Sequence, residues 1–186
     1  MRASIIFQKH RTAGDQLNTL AITGMKRSIS EIIKNTDDLG WMAGGIDLSL
    51  NDDTQKNQGI FWQPQLYAIC CADVSNLSKV LRERFKSTEA THRPVQIKSC
   101  DGTKAAVSYA FKTEFVRRIA YWGKSASSQN PRESWHTRKV SLRAVEHVQA
   151  MLWMHKIGLA GRLFLRGVRM TRNGDGVGLA KIKKLE

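Results

Sequence analysis

The chain has 186 residues, of which 41% are apolar, enough for one domain with an ordinary hydrophobic core. Lysine and arginine outnumber aspartate and glutamate by 30 to 16, which gives a net charge of +14 at neutral pH. This charge favours polyanionic partners, with nucleic acid first and an acidic membrane or protein surface second, unless it serves solubility alone.

The sequence contains no signal that would direct the chain out of the cytoplasm. Residues 1–10 lack an apolar region long enough for a signal peptide, and no stretch reaches transmembrane length. The three cysteines, Cys70, Cys71 and Cys100, are an odd number without metal-ligand spacing. We therefore expect a cytoplasmic protein with reduced core cysteines and no membrane partner.

The first half of the chain alternates predicted strands and helices. In chain order we predict a strand at residues 4–7, a helix at 15–34 capped by Asp15, a strand at 41–50, a polar loop at 51–59 and an apolar strand at 61–72. Two strands joined by a short loop most simply form an antiparallel pair. This pairing brings Asp47 towards Gln65 and Tyr67, which share one face of their strand.

The second half begins with the same alternation and ends in a basic region. We predict a helix at residues 75–85 capped by Ser75, an edge strand at 94–98, a helix from 103 or 104 to about 122, and a helix at 141–154 with Leu142, Val145, Val148 and Leu152 on its buried stripe. The stretch at 159–169 fits neither helix nor strand. Residues 171–186 are rich in glycine and basic side chains, which predicts a flexible tail.

These elements predict an α+β fold with a central, mainly antiparallel sheet and helices packed on it. The expected division is a first domain at residues 1–122, a linker at 123–137, and a basic helical extension with a flexible tail at 138–186. The extension holds eleven lysines and arginines and three acidic residues.

Two short motifs resemble one enzyme family. Residues 62–68 read Trp-Gln-Pro-Gln-Leu-Tyr-Ala, and residues 107–112 read Val-Ser-Tyr-Ala-Phe-Lys. They are similar to the metal-binding strand and the tyrosine helix of the HUH superfamily of single-strand endonucleases, in particular the rolling-circle replication initiators of small plasmids. The order of elements from residue 17 to 122 matches that family as well. The resemblance implies an HUH-like, ferredoxin-like fold for the first domain.

The resemblance also implies a site. Tyr109 would be the nucleophile that forms a 5′-phosphotyrosine, and Lys112 would contact the phosphate. Asp47, Gln65 and Tyr67 would hold Mg²⁺ or Mn²⁺, with Gln65 and Tyr67 standing where the family has two histidines. Because an amide and a phenol are weaker ligands than imidazole, we expect low metal affinity. Each of these side chains could instead have an ordinary structural role at the edge of the core.

Basic side chains predict a second feature, a surface that follows a phosphate backbone while the rings of Tyr121 and Trp122 stack on bases. The residues expected on it are Arg82, Arg84, Lys86, Arg117, Arg118, Arg162, Arg166 and Arg169.

The sequence thus predicts a DNA-binding, replication initiator-like protein of a plasmid or mobile element, which nicks single-stranded origin DNA if it is active. The alternative is a non-catalytic nucleic-acid-binding module with the same fold and a degenerate metal site. A third possibility is a purely structural or interaction protein.

Overall fold

The computed structural model of the chain describes residues 1–34, 40–100, 103–112, 115–124, 133–173 and 176–182. The helices are α1 (Thr23–Lys34), α2 (Val74–Arg84), α3 (Lys104–Ala110) and α4 (Ala144–Arg162). The strands are β1 (Arg2–Ile6), β2 (Thr12–Ala13), β3 (Trp41–Asp53), β4 (Gly59–Cys71), β5 (Val95–Lys98), β6 (Val116–Lys124), β7 (Glu133–Val140), β8 (Leu163–Arg166), β9 (Val168–Asn173) and β10 (Gly176–Lys181). Short 3-10 helices lie at Gln8–His10, Leu17–Thr19 and Thr54–Lys56.

Most strands form one mixed sheet with the order β5-β1-β4-β3-β6-β7. Neighbours are antiparallel except β3 and β6, which run parallel. The short β2 pairs with β4, and β8 pairs with β3. β9 and β10 form a separate hairpin. The predicted α+β class is confirmed, and β5 lies at the sheet edge as predicted.

The two faces of the sheet differ because side chains alternate along each strand. On β3, Ile46, Leu48 and Leu50 point into the hydrophobic core. The same core receives Met25, Ile29 and Ile33 of α1, Leu77 and Leu81 of α2, and Ala150 and Trp153 of α4. The opposite face of β3 carries Asp47, Ser49, Asn51 and Asp53. One face therefore carries the core and the other carries polar groups.

Helix α3 lies against the polar face of the sheet. Two glycines of β3 lie close to backbone atoms of neighbouring elements. A Cβ on Gly45 would lie 3.4 Å from the Ala110 carbonyl oxygen at the end of α3. A Cβ on Gly44 would lie 2.0 Å from the Tyr67 carbonyl oxygen of β4. A side chain at Gly44 would therefore separate β3 from β4, whereas an added Cβ at Gly45 would be in ordinary contact with the end of α3.

The outer edge of β3 is divided between two strands. β8 pairs with residues 42–45, and β6 pairs with residues 49–52. Among the described strands, none pairs with residues 46–48 on this side. The interruption places Asp47 beside a gap in the sheet.

Several predicted boundaries are wrong. The first long helix begins at Thr23, after a 3-10 turn, so Asp15 does not cap it. Helix α2 is capped by Asp73, whose carboxylate accepts from the Asn76 amide, and Ser75 lies inside the helix. Residues 51–53 and 59 extend the β3–β4 pair into the predicted loop.

The helix predicted to reach residue 122 ends at Ala110, and residues 116–124 form β6. This segment is rich in β-branched and aromatic residues, which suit a pleated strand, and its pairing with β3 and β7 overrides the apparent helical spacing. Residues 123–124 and 133–137 of the predicted linker belong to the β6–β7 hairpin, and residues 125–132 lie outside the described residues.

The C-terminal region was predicted to be an extension of the first domain. In the structure it is part of the same fold. Trp153 of α4 is buried in the core and donates to the Leu20 carbonyl oxygen, and β8 joins the main sheet. The described part of the predicted flexible tail forms the β9–β10 hairpin.

The predicted buried stripe of α4 is also wrong. Val145, Val148 and Leu152 are exposed, and Leu142 lies before the helix, partly buried against the core. The helix uses Ala150 and Trp153 for the core instead, and it is kinked at Gly158 (φ 65°).

The three cysteines are free, but they differ in exposure. Cys70 is buried, Cys100 is half-buried and Cys71 is exposed, so the prediction that they are core residues is correct for Cys70 alone. In the described part of the chain, none of the helices combines the length and apolar character needed to cross a membrane.

Candidate functional site

The predicted antiparallel pairing of β3 with β4 is confirmed, and it places Asp47 directly opposite Gln65. The Gln65 amide nitrogen lies 3.5 Å from Asp47 Oδ2, at the limit of a hydrogen bond. Tyr67 lies two residues further along β4 and therefore on the same face. The three side chains named by the sequence thus share one side of the sheet.

Lys112, just after α3, provides the counter-charge for Asp47. Its ammonium nitrogen lies 3.1 Å from Asp47 Oδ2, and the Asp47 side chain is 2% exposed. Burial raises the pKa of the Asp47 carboxyl above its ordinary value, and the Lys112 ammonium offsets part of this rise. Asp47 Oδ1 makes no hydrogen bond to a described residue. Asp47 is therefore a buried acid that forms an ion pair with Lys112.

Tyr67 and Tyr109 form an edge-to-face pair above this ion pair, with ring centroids 4.9 Å apart. The Lys112 ammonium lies 5.3 Å from the Tyr67 ring and 5.0 Å from the Tyr109 ring, within the range of cation–π attraction. Burial raises the pKa of the Tyr67 phenol far above its ordinary value, and hydrogen bonding to Tyr109 adds to this. Tyr109 is 41% exposed, so part of its side chain faces solvent.

Arg162, at the end of α4, holds the backbone of Lys112 in place. Its guanidinium enters the gap between β6 and β8, where Nε donates to the Ile46 carbonyl oxygen at 2.8 Å. Nη2 donates to the Lys112 carbonyl oxygen at 2.6 Å. The prediction that Arg162 lies on a basic surface is wrong, since its side chain is buried and joins the lysine backbone to β3.

The polar face of the sheet forms the floor of a cleft of about 430 Å³. Tyr67, Gln65 and Tyr109 are among the residues that line it. Of the residues that the structure describes, five cationic side chains line the same cleft against one acid, Asp53; they are Arg2, Arg11, Lys56, Lys98 and Arg118. Arg11 is anchored by a hydrogen bond from its Nε to Gln63 Oε1 at 2.7 Å, and its guanidinium lies over the Phe61 ring. The cleft is therefore positively charged and partly aromatic.

Aromatic side chains continue this surface along the β6–β7 hairpin. Trp122 is paired with Trp135, with ring centroids 5.4 Å apart, and is 54% exposed. Arg118 and Thr137 lie an even number of residues from these tryptophans, so they share a face of the hairpin, and both line the cleft. The Lys56 ammonium lies 5.3 Å from the Trp135 ring. The tryptophan pair thus lies on the cleft side of the hairpin.

The residues predicted for nucleic-acid contact divide into three groups. Arg118 lines the cleft. Arg117 is 3% exposed, because its guanidinium is bound by Asp52 at 2.6 Å and by Glu146, so its predicted place on the surface is wrong. Apart from the buried Arg162, the remaining side chains are exposed but do not line the cleft; they are Arg82, Arg84, Lys86, Arg166 and Arg169.

Sequence reasoning did not identify the other half of the cleft. Arg2, Arg11, Lys98 and Trp135 were not singled out, although the alternation that placed Gln65 and Tyr67 together also assigns Gln63 and Phe61 to that face. The same alternation on β1 would have identified Arg2 and Ser4. Lys98 and Trp135 require the strand order, which the pattern of a single strand does not contain.

A divalent metal does not fit the arrangement of these side chains. Asp47 Oδ2 is bound by the Lys112 ammonium, and Tyr67 is a neutral phenol. A divalent ion about 4 Å from an ammonium meets a repulsion of roughly 8 kcal/mol at an effective dielectric constant near 20. In the described parts of the chain, no three His, Cys, Asp or Glu side chains lie together as a possible metal site. Among the ligands predicted for Mg²⁺ or Mn²⁺, the charged group is the Asp47 carboxylate, and Lys112 already neutralises it.

Comparison of the chain with protein-family profiles, curated proteins and solved structures gives no significant match in any of the three.

Proposed function

We propose that this protein binds single-stranded DNA in the cleft on the polar face of its sheet, as a divergent relative of the rolling-circle initiators of plasmids and other mobile elements. We further propose that Tyr109 nicks the bound strand. The observation that carries the proposal is a partly exposed tyrosine that lines a basic cleft, with the Lys112 ammonium beside its ring.

The charges of the cleft support a nucleic-acid ligand. Among the described residues, five lysine and arginine side chains line the cleft together with Tyr109, against one carboxylate, so a phosphate backbone would find several partners there. The surface arginines of α2 lie away from this path and are not needed for the proposal.

The exposed rings favour a single strand. Unpaired bases stack on aromatic side chains, a contact worth about 1–3 kcal/mol per base. Trp122 and Trp135 offer such a surface on the cleft side of the β6–β7 hairpin, and Tyr109 is partly exposed and lines the cleft. Bases in a duplex are already stacked and would gain little from these rings.

The nicking step requires only groups that are present. The Tyr109 oxygen forms a bond to phosphorus while the bond from phosphorus to the 3′ oxygen breaks. The phenol proton passes, through water, to the departing oxygen. The products are a 5′-phosphotyrosine and a free 3′ hydroxyl. The Lys112 ammonium offsets the charge that develops on the phosphoryl oxygens.

A second candidate is a binding module without catalysis. It is favoured by one observation, that Asp47 is engaged by Lys112 and Gln65 and so is not free to take the proton of Tyr109. This candidate shares the cleft and the binding path with the first.

Adduct formation separates the two candidates. The protein is incubated with a labelled single-stranded oligonucleotide library and supercoiled plasmid, then resolved under denaturing conditions. Nicking predicts a covalent adduct that Tyr109→Phe abolishes and that Tyr121→Phe leaves intact. Tyr121 is a matched control, since it is similarly exposed but lies on the other face of β6. Salt-sensitive binding without any adduct would support the binding module.

The binding path has its own test. Arg118→Ala and Lys98→Ala should each weaken oligonucleotide binding several-fold and reduce its salt dependence by about one released ion. Arg82→Ala on α2 is the control and should change neither. Equal losses for all three variants, or no binding by the wild type at about 150 mM salt, would contradict the proposed cleft.

A further inference from the structure

We infer that the ammonium of Lys112 serves as the cation of this site, so that the cleft receives a phosphate without a divalent metal. The inference deepens the proposed function and rests on it for the identity of the ligand. It contradicts the expectation, implied by the resemblance, that the site holds Mg²⁺ or Mn²⁺.

The first support is the position of the ammonium. It lies 3.1 Å from the buried carboxylate and about 5 Å from the rings of Tyr67 and Tyr109. A metal bridging Asp47 and the nucleophile would have to lie in the same space. The lysine therefore occupies the place between the acid and the phenols.

The second support is that the lysine is held in place. Arg162 Nη2 donates to the Lys112 carbonyl oxygen, while Arg162 Nε binds the Ile46 carbonyl oxygen next to Asp47. The backbone of Lys112 is thereby tied to the strand that carries its acid. A cation fixed at both ends of its side chain needs little reorganisation when an anion arrives.

The third support is the number of donors that Lys112 carries. An ammonium has three donors, and Asp47 is the acceptor for one of them within the described part of the chain. The Lys112 side chain is 16% exposed, and Tyr109 beside it lines the cleft. A phosphate oxygen next to the Tyr109 hydroxyl can accept from a remaining donor.

The first arm of the test uses Mn²⁺ and protein alone. Electron paramagnetic resonance of free Mn²⁺ should show no binding to the wild-type protein at ion concentrations up to about 1 mM. Saturable Mn²⁺ binding that Asp47→Asn abolishes would overturn the inference. This arm does not depend on DNA.

The second arm measures oligonucleotide binding with EDTA and with added Mn²⁺. Wild-type affinity should be the same in both. Lys112→Met should lower it by about tenfold and reduce the salt slope by about one ion, whereas Lys112→Arg should recover most of the affinity. Lys98→Met removes one cleft charge away from Asp47 and should retain the same indifference to metal.

Because Lys112→Met leaves a buried carboxylate unpaired, the double variant Asp47→Asn/Lys112→Met is included to keep the fold. Its circular dichroism should match the wild type, and its affinity should stay low. Binding that requires Mn²⁺, or a double variant with wild-type affinity, would overturn the inference while the proposed function stands. Failure of the wild type to bind under either condition would overturn the proposed function itself.

Discussion

At the scale of single residues, β3 and β4 lie in close contact at Gly44. A Cβ added there would lie 2.0 Å from the Tyr67 carbonyl oxygen and 2.5 Å from the Ala68 Cα, both backbone atoms that cannot rotate away. Gly24 in α1 is different, because its added Cβ would meet only His10 Cε1 at 3.7 Å. Alanine substitutions at the two glycines therefore form a matched pair of variants, one that meets backbone atoms and one that does not.

We predict that Gly44→Ala lowers the free energy of unfolding by about 3 kcal/mol or more, the upper range for overpacking. Gly24→Ala should raise it by up to about 1 kcal/mol, since alanine is the better helix former. Urea denaturation of both variants measures the difference. A Gly44→Ala protein as stable as the wild type would show that β3 and β4 are not paired in this register.

The buried Arg117 makes stability depend on pH through Asp52. A hydrogen bond from Thr54 and another from Arg117 hold the pKa of the Asp52 carboxyl below its ordinary value. A lowered folded-state pKa means that the stabilisation is present above the unfolded value, near pH 4, and is lost as the pH falls through the folded value.

Asp52→Asn should therefore cost about 1–3 kcal/mol at pH 7, as for hydrogen bonds to charged groups. The difference from the wild type should shrink below about pH 4. Urea titrations at pH 7, 5 and 3 measure it, with the exposed Asp15→Asn as a control that should change little at any pH. A difference that grows on acidification would contradict this account.

At the scale of elements, α4 offers the clearest contrast between the sequence pattern and the structure. Leu152 and Trp153 are neighbours, yet Leu152 is 65% exposed and Trp153 is buried. The sequence pattern predicts the opposite stripe, in which Leu152 faces the core.

We predict that Trp153→Ala costs about 3–5 kcal/mol, whereas Leu152→Ser stays within about 0.5 kcal/mol of the wild type. Thermal or urea denaturation of the two variants measures both effects. Reversed costs would support the stripe read from the sequence.

The elements that the sequence predicted well are those with strong local patterns. Alternation on β3 and β4 identified the hairpin and placed Asp47 opposite Gln65, and the helical spacing before Phe85 identified α2. The boundary between α3 and β6 was missed because residues 103–122 have apolar residues at helical spacing, while their strand character depends on partners far along the chain.

The site was predictable in part for the same reason. Asp47, Gln65, Tyr67 and Tyr109 follow from strand alternation and motif order, and they do lie on one side of the sheet. The role of Arg162 could not be predicted, since it binds the Ile46 carbonyl oxygen from 116 positions away. The two groups meet because the fold brings the end of α4 into the gap between β6 and β8, beside β3.

At the scale of the whole molecule, the fold differs from a domain followed by an appendage. Residues after 122 supply β7, α4 and β8, and they also supply Trp153 to the core and Arg162 to the site.

We predict that a fragment of residues 1–122 does not fold alone, because it leaves the core without Trp153 and residues 42–45 of β3 without their partner strand β8. Circular dichroism and amide hydrogen exchange should show no cooperative structure, while residues 1–182 should unfold cooperatively. A fragment of residues 1–122 with a sharp thermal transition would restore the two-part division.

The bond from Arg162 across the interrupted edge of β3 has a consequence for how the protein is made. A ribosome releases Asp47, Gln65, Tyr67 and Tyr109 long before it adds Arg162, so the nascent chain carries these side chains before Arg162 can hold the backbone of Lys112 in place. The arrangement of side chains around Lys112 is therefore completed late, once α4 has emerged and Arg162 has entered the gap between β6 and β8.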